Sequence, residues 1–520
     1  MNVLIVESAA KARTLKKYLG DGWEVVATGG HVETLPHDRA KHGKEAKKAY
    51  WANRPGELPT PPWVWTDRGE NAVQAIVAAG GGDATFWIAT DPDREGEFIA
   101  WCLERLLAPH GPTRRVTFQE VTKEAVTEAL RAPRGVDRRM VDSALVRKFL
   151  DRIVGFRSAK IAAAVVGKGA SMGRVQTPTL GFVVEKELER EAFVPTPYFE
   201  VRARALGQDL KVRFHEKGDP DAWRDEAGKG DLARTFDGAL ARRVREVLAA
   251  AGEVTHTGVT ARVTRPRAPQ PPFSTDQLLQ DAGARFGWSP KKTSALASML
   301  YEAGHITYIR TDSNRLAQQA ILAARGIVEA SYGREYLGTG TSGGASASDG
   351  ASPGAAPAAP GAPIQDAHEA IRPTRLEVEE APVEDADAAR LYRLIRARTL
   401  ASQMAPATGE SRSIEAACRG TDRPLTGSVS WRTFPGWEAA YTEFEDPRPT
   451  APPDIPLREG AVWPLDPPEE DAPNPVLIQD ETQPPGRYRE HTLVKAMKDA
   501  GIGRPSTYAR TIEKLEEREF

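Results

Sequence analysis

Hydrophobic and polar positions alternate in short blocks along the first part of the chain. Val3 to Val6 is an apolar run typical of a buried strand, and Ser8 is placed to cap a helix that runs to Leu19. Residues 85–89 predict another strand, and an acidic loop then leads into a helix from about Gly96 to Leu107. The pattern therefore predicts strands and helices in alternation.

The same alternation continues to about residue 130. A third strand is predicted at 116–121, and Thr122 is placed to open the next helix. Strands that alternate with helices are typical of an α/β unit with a largely parallel sheet. Residues 196–266 are different, because their pattern is β-rich.

The pattern becomes helical from Ser274. A helix is predicted at 276–286, and Ser289 with Pro290 begins the next one. Thr307 to Ile309 then predicts a strand, so the order of elements is winged-helix-like. The second helix has one apolar stripe, formed by Leu296, Met299 and Leu300. A similar order at 490–518 suggests a weak internal duplication.

Two segments have a composition that cannot form a core. Residues 338–363 are almost entirely Gly, Ala, Ser, Thr and Pro, and predict a disordered insertion. Residues 446–485 are proline-rich and acidic, which indicates an extended connection.

Composition limits the class of protein only loosely. The 520 residues carry a net charge of −2, which neither supports nor excludes a nucleic-acid binder. Cys102 and Cys418 lie in no CxxC or CxxH pattern, so we expect neither zinc nor a disulfide framework. No apolar run is long enough for a signal peptide or a membrane span, and we expect a cytoplasmic protein.

Local charge is more informative than net charge. Residues 131–160 contain nine basic and three acidic residues on a helical pattern. This stretch is either a solvated helix face or a surface that contacts phosphates.

An acidic cluster follows the strand at 85–89. Asp91, Asp93 and Glu95 are closely spaced carboxylates at the carboxyl edge of a parallel sheet, where α/β proteins bind ligands. Such carboxylates repel one another unless they are protonated or bind a metal such as Mg²⁺. Glu7 ends the first strand at the same edge, and Lys11 follows one helical turn later. An acidic helix cap is the structural alternative.

Tyr308 is the candidate nucleophile. Arg310 lies two residues along the predicted strand, on the same side, where a guanidinium would stabilise a phenolate and a phosphate under attack. An ordinary core tyrosine is the alternative. His368 and Arg372 lie one helical turn apart, and Gly501 to Tyr508 places Arg504 and Thr507 at a helix N-terminus that suits a phosphate.

The motifs together resemble those of the type IA DNA topoisomerase family, most closely its bacterial members. Seven segments match in the family's order across nearly the whole chain. They are Val6 to Lys11, Gly30-His31, Asp91 to Glu97, Gly173 to Gln176, Tyr308 to Ser313, Ala367 to Pro373 and Gly501 to Tyr508.

The resemblance implies a multidomain α/β and α+β fold that encloses a toroidal cavity for DNA. Residues 1–140 would form a Toprim domain, and 267–375 a winged-helix-like domain that carries Tyr308. A helical gate domain would combine 141–195 with 456–520. A β-rich arch would combine 196–266 with 376–455.

The resemblance also implies roles for individual residues. Tyr308 would form a 5′-phosphotyrosine, with Arg310, Glu7 and Lys11 assisting, while Asp91, Asp93 and Glu95, joined by Glu7, would bind Mg²⁺. The residues expected to contact the DNA strand are His31, Arg115, Arg147, Arg174, Gln176, Asp312, His368, Arg372, Arg504 and Thr507.

The implied activity is cleavage of one DNA strand, passage of the other and resealing, which relaxes negative supercoils without ATP. The family normally continues beyond the position of Phe520, so we expect the C-terminal DNA-binding modules to be missing. We expect a monomer associated with the nucleoid. Two rivals stay open: a Toprim-type nuclease or primase-like enzyme that does not need Tyr308, and a single-strand DNA-binding protein without turnover.

Overall fold

A computed structural model describes residues 1–36, 62–167, 172–340, 368–469 and 472–519. Most of the predicted insertion at 338–363 lies outside these ranges. Within them, no helix is both long enough and apolar enough to cross a membrane.

The N-terminal unit is an α/β layer structure. Its elements in chain order are β1 (Asn2–Val6), α1 (Ala9–Lys16), β2 (Trp23–Ala27), β3 (Glu33–Thr34), β4 (Val64–Trp65), α2 (Gly69–Gly80), β5 (Thr85–Ile88), α3 (Arg94–Leu107), β6 (Thr113–Arg115) and α4 (Lys123–Arg131). The main sheet has the order β2-β1-β5-β6, and all its neighbouring strands are parallel. The prediction of a parallel sheet is therefore confirmed.

The remainder of the chain mixes long helices with a large sheet. Its elements are α5 (Arg138–Val165), α6 (Gln176–Glu191), β7 (Pro197–Ala205), β8 (Gln208–Val212), α7 (Gly238–Ala251), β9 (Glu253–Arg267), α8 (Thr275–Phe286), α9 (Pro290–Glu302), α10 (Gln318–Tyr332), α11 (Ala386–Ala401), β10 (Ala407–Ala417), β11 (Leu425–Phe434), β12 (Val462–Pro464), β13 (Val476–Glu481), α12 (Glu490–Asp499) and α13 (Tyr508–Glu516).

The large sheet is assembled from two distant parts of the chain. Its seven strands have the order β12-β9-β10-β11-β8-β7-β13. Because β12 and β13 belong to it, the sheet extends past the arch boundary predicted at residue 455. The helix α7, which the β-rich pattern of 196–266 did not predict, packs its apolar face on the same core.

Tyr308 lies in a core shared between units. That core joins Leu4 and Val6 of β1 to Leu300 of α9 and to Leu391 of α11. α11, which was assigned to the arch, joins this core together with Trp437 and Tyr441 of the same predicted range. The Toprim-like sheet and the tyrosine-bearing region are thus held together by apolar burial.

Three local predictions are wrong. No strand forms at 116–121, because β6 spans Thr113–Arg115 and the chain then leaves the sheet. Residues 307–309 form no strand, because the pairing here is limited to isolated bridges with distant segments. Met299 is exposed rather than part of the apolar stripe, whereas Leu296 and Leu300 are buried as predicted.

Candidate active site

The site begins where β1 and β5 end side by side. Because these strands are parallel neighbours, their carboxyl ends place Glu7 and Asp91 at the same edge of the sheet. A Glu7 side-chain oxygen accepts a hydrogen bond of 3.0 Å from the Asp91 backbone nitrogen. The acidic loop is therefore fastened to the end of the first strand, as the sequence predicted.

Lys11 neutralises part of this acidic edge from α1. The Ser8 hydroxyl caps that helix by accepting a hydrogen bond from the Lys11 backbone nitrogen, which fixes the start of the helix and thus the position of Lys11. The Lys11 ammonium lies 3.0 Å from Asp91 Oδ1 and is almost fully buried, at 2% exposure. A buried charge pair of this kind depends on both partners, so Lys11 and Asp91 are held in fixed positions.

Asp93 connects the acidic loop to the tyrosine. It is the N-cap of α3, and its Oδ1 accepts a bond of 2.8 Å from the Gly96 backbone. Its other oxygen, Oδ2, accepts a bond of 2.6 Å from the Tyr308 hydroxyl and lies 3.4 Å from Arg310 Nη1. The candidate nucleophile, its arginine and one predicted metal ligand therefore meet at a single oxygen atom.

The backbone places Tyr308 without a regular strand. Its nitrogen donates to the Gln119 carbonyl at 2.8 Å, and Thr307 forms a bridge with Glu120. The Tyr308 side chain is 2% exposed. Burial, together with the Asp93 and Asp91 charges, raises the pKa of Tyr308 well above its ordinary value. The resting phenol is therefore protonated and needs a base.

The carboxylates of the site have opposite electrostatic environments. Burial and the neighbouring Asp91 and Asp93 charges raise the pKa of Glu7 to about 7. Burial alone would raise the pKa of Glu95 as well, but His31, Lys148 and Arg147 outweigh it and lower that pKa to about 2. Negative charge is thus only partly compensated around Glu7, whereas it is compensated around Glu95.

His368 packs against the nucleophile. Its ring centroid lies 5.6 Å from that of Tyr308, and Nδ1 lies 3.1 Å from Gln119 Oε1. Its Nε2 is buried and has no hydrogen-bond partner among the described residues. Burial lowers the pKa of His368, which favours the neutral ring.

Arg115, which was predicted to contact DNA, is turned into the interior of the structure. The side chain is 1% exposed, and its guanidinium binds the Glu97 carboxylate. Its remaining donors reach the backbone carbonyls of Ile88, Thr90, Asp91 and Val116. Arg115 therefore holds the start of the acidic loop in place through its backbone carbonyls.

Arg372 is also turned inward rather than toward a strand. It is 8% exposed and pairs with Glu369 at 2.7 Å and with Glu120 at 3.3 Å. Both carboxylates flank the Tyr308 region, so Arg372 fixes the segments around the nucleophile. Its predicted contact with DNA disagrees with this burial.

Several of the predicted DNA contacts do line a common cavity. It measures about 280 Å³. Five of its lining residues are Arg94, Arg147, Arg174, Arg504 and Thr507. The structure brings these basic and hydroxyl groups together from four helical regions that are far apart in sequence.

Individual contacts hold the basic groups of this cavity in place. Arg147 reaches Glu95 Oε1 at 3.2 Å and Ser506 Oγ at 3.3 Å, and Arg174 pairs with Asp151 at 2.8 Å. The Thr507 hydroxyl accepts a bond from the Arg504 backbone at the start of α13. Gln176 is the first residue of α6 and is partly buried.

His31 and Asp312 lie outside this cavity. His31 Nε2 is 3.4 Å from Glu95, and its ring packs against Phe98. Asp312 accepts from the Lys498 ammonium of α12 at 3.1 Å. Lys498 also approaches Asp276 of α8, so this lysine ties α12 to the segment that follows Tyr308.

The acidic residues fit magnesium only in part. Among the described residues, no three His, Cys, Asp or Glu side chains form a group that could hold a metal ion. Magnesium often binds through one or two carboxylates together with waters and substrate phosphates. The surplus of negative charge at Glu7, Asp91 and Asp93 suits such a cation, whereas Glu95 is already paired. The magnesium ligands remain a prediction.

Sequence reasoning missed three residues near these sites. Arg94 lies between Asp93 and Glu95 in the acidic motif, so the local sequence gave no indication that it lines the basic cavity. Tyr301 gave no functional signal, because a tyrosine on the apolar face of a helix is typical of a core residue. Lys498 gave no signal at all, because its partners lie far away in sequence.

Comparisons with known proteins agree with this geometry. The family model described as DNA topoisomerase matches residues 135–520, and the Toprim domain model matches residues 2–121. DNA topoisomerase 1 of Xylella fastidiosa is 34% identical over 99% of this chain and 61% of its own length. That of Synechocystis is 35% identical over 100% of this chain and 57% of its own length.

A solved structure gives the same result for the fold. Full-length topoisomerase I from Thermotoga maritima matches with a TM-score of 0.74 and 30% identity, over 99% of this chain and 78% of that protein. The chain thus spans about three fifths of the length of the curated relatives it matches. The DNA topoisomerase match extends over the tyrosine region and most of the basic cavity, and the Toprim match extends over the acidic edge and Arg94. This chain therefore belongs to the type IA DNA topoisomerase family and carries a Toprim domain at its N-terminus.

Proposed function

We propose that this chain cleaves one strand of DNA through Tyr308, allows the other strand to pass and reseals the break. The observation that carries the proposal is the contact of 2.6 Å between the Tyr308 hydroxyl and Asp93 Oδ2, with Arg310 on the same oxygen. A tyrosine nucleophile needs a base and a cation beside the phosphate, and this contact supplies both.

Cleavage would proceed by exchange of one phosphorus–oxygen bond for another. The Tyr308 oxygen attacks phosphorus, and its proton passes to Asp93 Oδ2. The bond to the 3′ oxygen breaks, which leaves a 5′-phosphotyrosine and a free 3′ hydroxyl. Glu7, whose pKa is raised to about 7 by burial and neighbouring carboxylates, would give the 3′ oxygen its proton.

Covalent storage explains why no nucleotide would be needed. The phosphotyrosine keeps the free energy of the broken phosphodiester, so the 3′ hydroxyl can reverse the reaction. Lys11 and Arg310 would balance the phosphate charge in both directions. Asp91, Asp93, Glu95 and Glu7 are the residues proposed to hold Mg²⁺, which would supply charge neutralisation during resealing.

The basic cavity suits the backbone of a single strand. Arg94, Arg147, Arg174 and Arg504 offer fixed positive charge, and the N-terminus of α13 offers backbone donors. The proposed substrate is therefore a single-stranded segment in negatively supercoiled DNA. We further propose that the protein acts as a monomer, in the cytoplasm and in association with the nucleoid.

An adduct assay tests the proposal. The chain is incubated with end-labelled single-stranded DNA, quenched with detergent and examined for protein-linked 5′-phosphoryl ends, beside Tyr308→Phe. We expect an adduct from the unaltered chain and none from the variant. Cleavage that survives Tyr308→Phe would instead identify a Toprim-type nuclease, and binding without any adduct would identify a single-strand binding protein.

Strand passage needs a separate measurement. Negatively supercoiled plasmid is incubated with the chain in magnesium and, in parallel, in EDTA. We expect relaxation only with magnesium. An adduct without relaxation would limit the function of this chain to cleavage and resealing.

A further inference from the structure

Tyr301 lines the active-site cavity, and the proposed chemistry does not use it. It lies in the last turn of α9, and its side chain is 3% exposed. The cavity measures about 240 Å³, several times the ~30 Å³ that one water takes up in the liquid. Tyr301 shares its wall with Glu7, Lys11, Asp91, Tyr308 and Arg310.

The position of the Tyr301 ring is well defined. It packs edge-on against the Tyr308 ring, with centroids 5.3 Å apart and planes at 67°. The Lys11 ammonium lies 5.5 Å from the same ring centroid. Tyr301 therefore contacts both the nucleophile and the cation that would face the phosphate.

The Tyr301 hydroxyl is the unusual feature. It is buried and has no hydrogen-bond partner among the described residues. Buried hydroxyls are normally paired, because an unpaired one loses its bonds to water without replacement. Tyr392, which lies in the same core, donates to the carbonyls of Arg375 and Val378 at 3.1 and 3.0 Å.

The surroundings show what the hydroxyl could bind. The cavity wall carries the cations Lys11 and Arg310 among the carboxylates Glu7, Asp91 and Glu302, so these two cations are the groups that would hold a phosphate beside Tyr308. Tyr308 itself uses its hydroxyl on Asp93, which leaves Tyr301 as a neutral donor at the cavity. A phosphodiester oxygen would give this donor the acceptor that it lacks.

We propose that the Tyr301 hydroxyl is a further catalytic group, which donates a hydrogen bond to a non-bridging oxygen of the phosphodiester that Tyr308 attacks. This inference rests on the proposed function. The bond strengthens as negative charge builds on that oxygen, so it stabilises the transition state more than the bound strand. Tyr301 forms no covalent bond and transfers no proton.

The first test is Tyr301→Phe, which removes the hydroxyl and keeps the ring that packs on Tyr308. Single-turnover adduct formation on single-stranded DNA should slow by on the order of 100-fold. The affinity for the strand, measured with both Tyr301 forms in a Tyr308→Phe background, should change little. An unchanged adduct rate would overturn the proposal.

A sulfur substitution tests the contact itself. One non-bridging oxygen at the mapped cleavage site is replaced by sulfur, separately in each stereochemical form. In the unaltered chain, the form that places sulfur at the Tyr301 oxygen should slow cleavage more, because sulfur accepts hydrogen bonds poorly. That extra slowing should vanish in Tyr301→Phe. If it persists, the hydroxyl does not touch the phosphate and the proposal is wrong.

A measurement of stability distinguishes a catalytic role of the Tyr301 hydroxyl from a structural one. Removal of an unpaired buried hydroxyl should leave the midpoint of urea unfolding unchanged or higher, although the enzyme becomes slower. Tyr441→Phe is the control, because its hydroxyl is also buried but lies outside the cavity. It should leave the adduct rate unchanged.

The controls also separate this proposal from the proposed function. An adduct from the unaltered chain that is absent in Tyr308→Phe keeps the function, whatever Tyr301→Phe does. If the unaltered chain forms no adduct, both proposals fall.

Discussion

Arg115 shows how one buried side chain can support a site without taking part in its chemistry. Its guanidinium binds Glu97, which is fully buried, and the carbonyls of Thr90 and Asp91 at the start of the acidic loop. A buried charge is stable only while it is paired. The position of Asp91 and Asp93 therefore depends on an ion pair beneath them.

Replacement of Arg115 by leucine should destabilise the whole protein. Among the described residues, it leaves Glu97 buried with Arg134 as its one remaining cationic partner, and the free energy of unfolding should fall by about 3–5 kcal/mol. Urea unfolding measures this change. The control is Arg114→Leu, an exposed neighbour that should change stability by less than about 0.5 kcal/mol. Equal effects from the two variants would contradict the role given to Arg115.

For single residues, the sequence predicted which side chains meet at the acidic edge better than it predicted which side chains are buried. Glu7, Lys11 and Asp91 come together because they lie at the ends of neighbouring elements, which the pattern of strands and helices reveals. Arg115 and Arg372 were expected to contact DNA, because the sequence shows the charge of a residue but not its burial. The unpaired hydroxyl of Tyr301 depends on distances that no spacing along the chain contains.

The connection between α9 and Tyr308 is the element that aims the nucleophile. Gly304 ends the helix with a φ of +84°, a conformation that side chains rarely adopt. A Cβ atom at this position would come within 2.4 Å of the Val121 carbonyl oxygen. That carbonyl belongs to the segment whose Gln119 binds the Tyr308 backbone.

Gly304→Ala should therefore cost both stability and activity. We expect a loss of more than about 1 kcal/mol in unfolding free energy from the positive φ, with slower adduct formation because the Val121 segment must shift. Gly22→Ala is the matched control, since Gly22 has a φ of +87° and open space around its Cβ position. Equal adduct rates for the two variants would show that the Val121 contact is irrelevant to the nucleophile.

Helix starts were predictable at this scale, and short strands were not. Ser8, Thr122 and Ser289 cap their helices as predicted, because capping is a local interaction of a side chain with its own backbone. Among the described residues, the segments at 116–121 and 307–309 pair through one isolated bridge, between Glu120 and Thr307. Such pairing depends on tertiary contacts that local patterns do not record.

At the scale of the whole molecule, a balanced net charge conceals a strongly basic cavity. The chain carries a net charge of −2, yet Arg94, Arg147, Arg174 and Arg504 converge on one cavity. Burial and the neighbouring Arg147 charge lower the pKa of Arg94, which reflects this crowding of cations. The basic stretch at 131–160 indicated part of the cavity, but the other contributors lie far away in sequence.

Binding of a single strand should depend on salt in proportion to the phosphates that this cavity contacts. Arg174→Gln should reduce the slope of log affinity against log salt by about 0.7, the value for one single-strand phosphate contact. Titration of labelled single-stranded DNA over a range of salt concentrations measures the slope. Arg243→Gln, an exposed arginine on α7, is the control and should leave it unchanged. A slope unaltered by Arg174→Gln would exclude Arg174 from phosphate contact.

The large sheet has a consequence for how the protein is made. Its outer strand β13 pairs with β7, although roughly 270 residues separate the end of one from the start of the other. At about 5–20 residues per second, synthesis of that interval takes on the order of 15 to 55 seconds. During this time the open edge of β7 has no partner from its own chain. The arch is therefore among the last parts to close on the ribosome, and β7 is the edge most in need of protection until then.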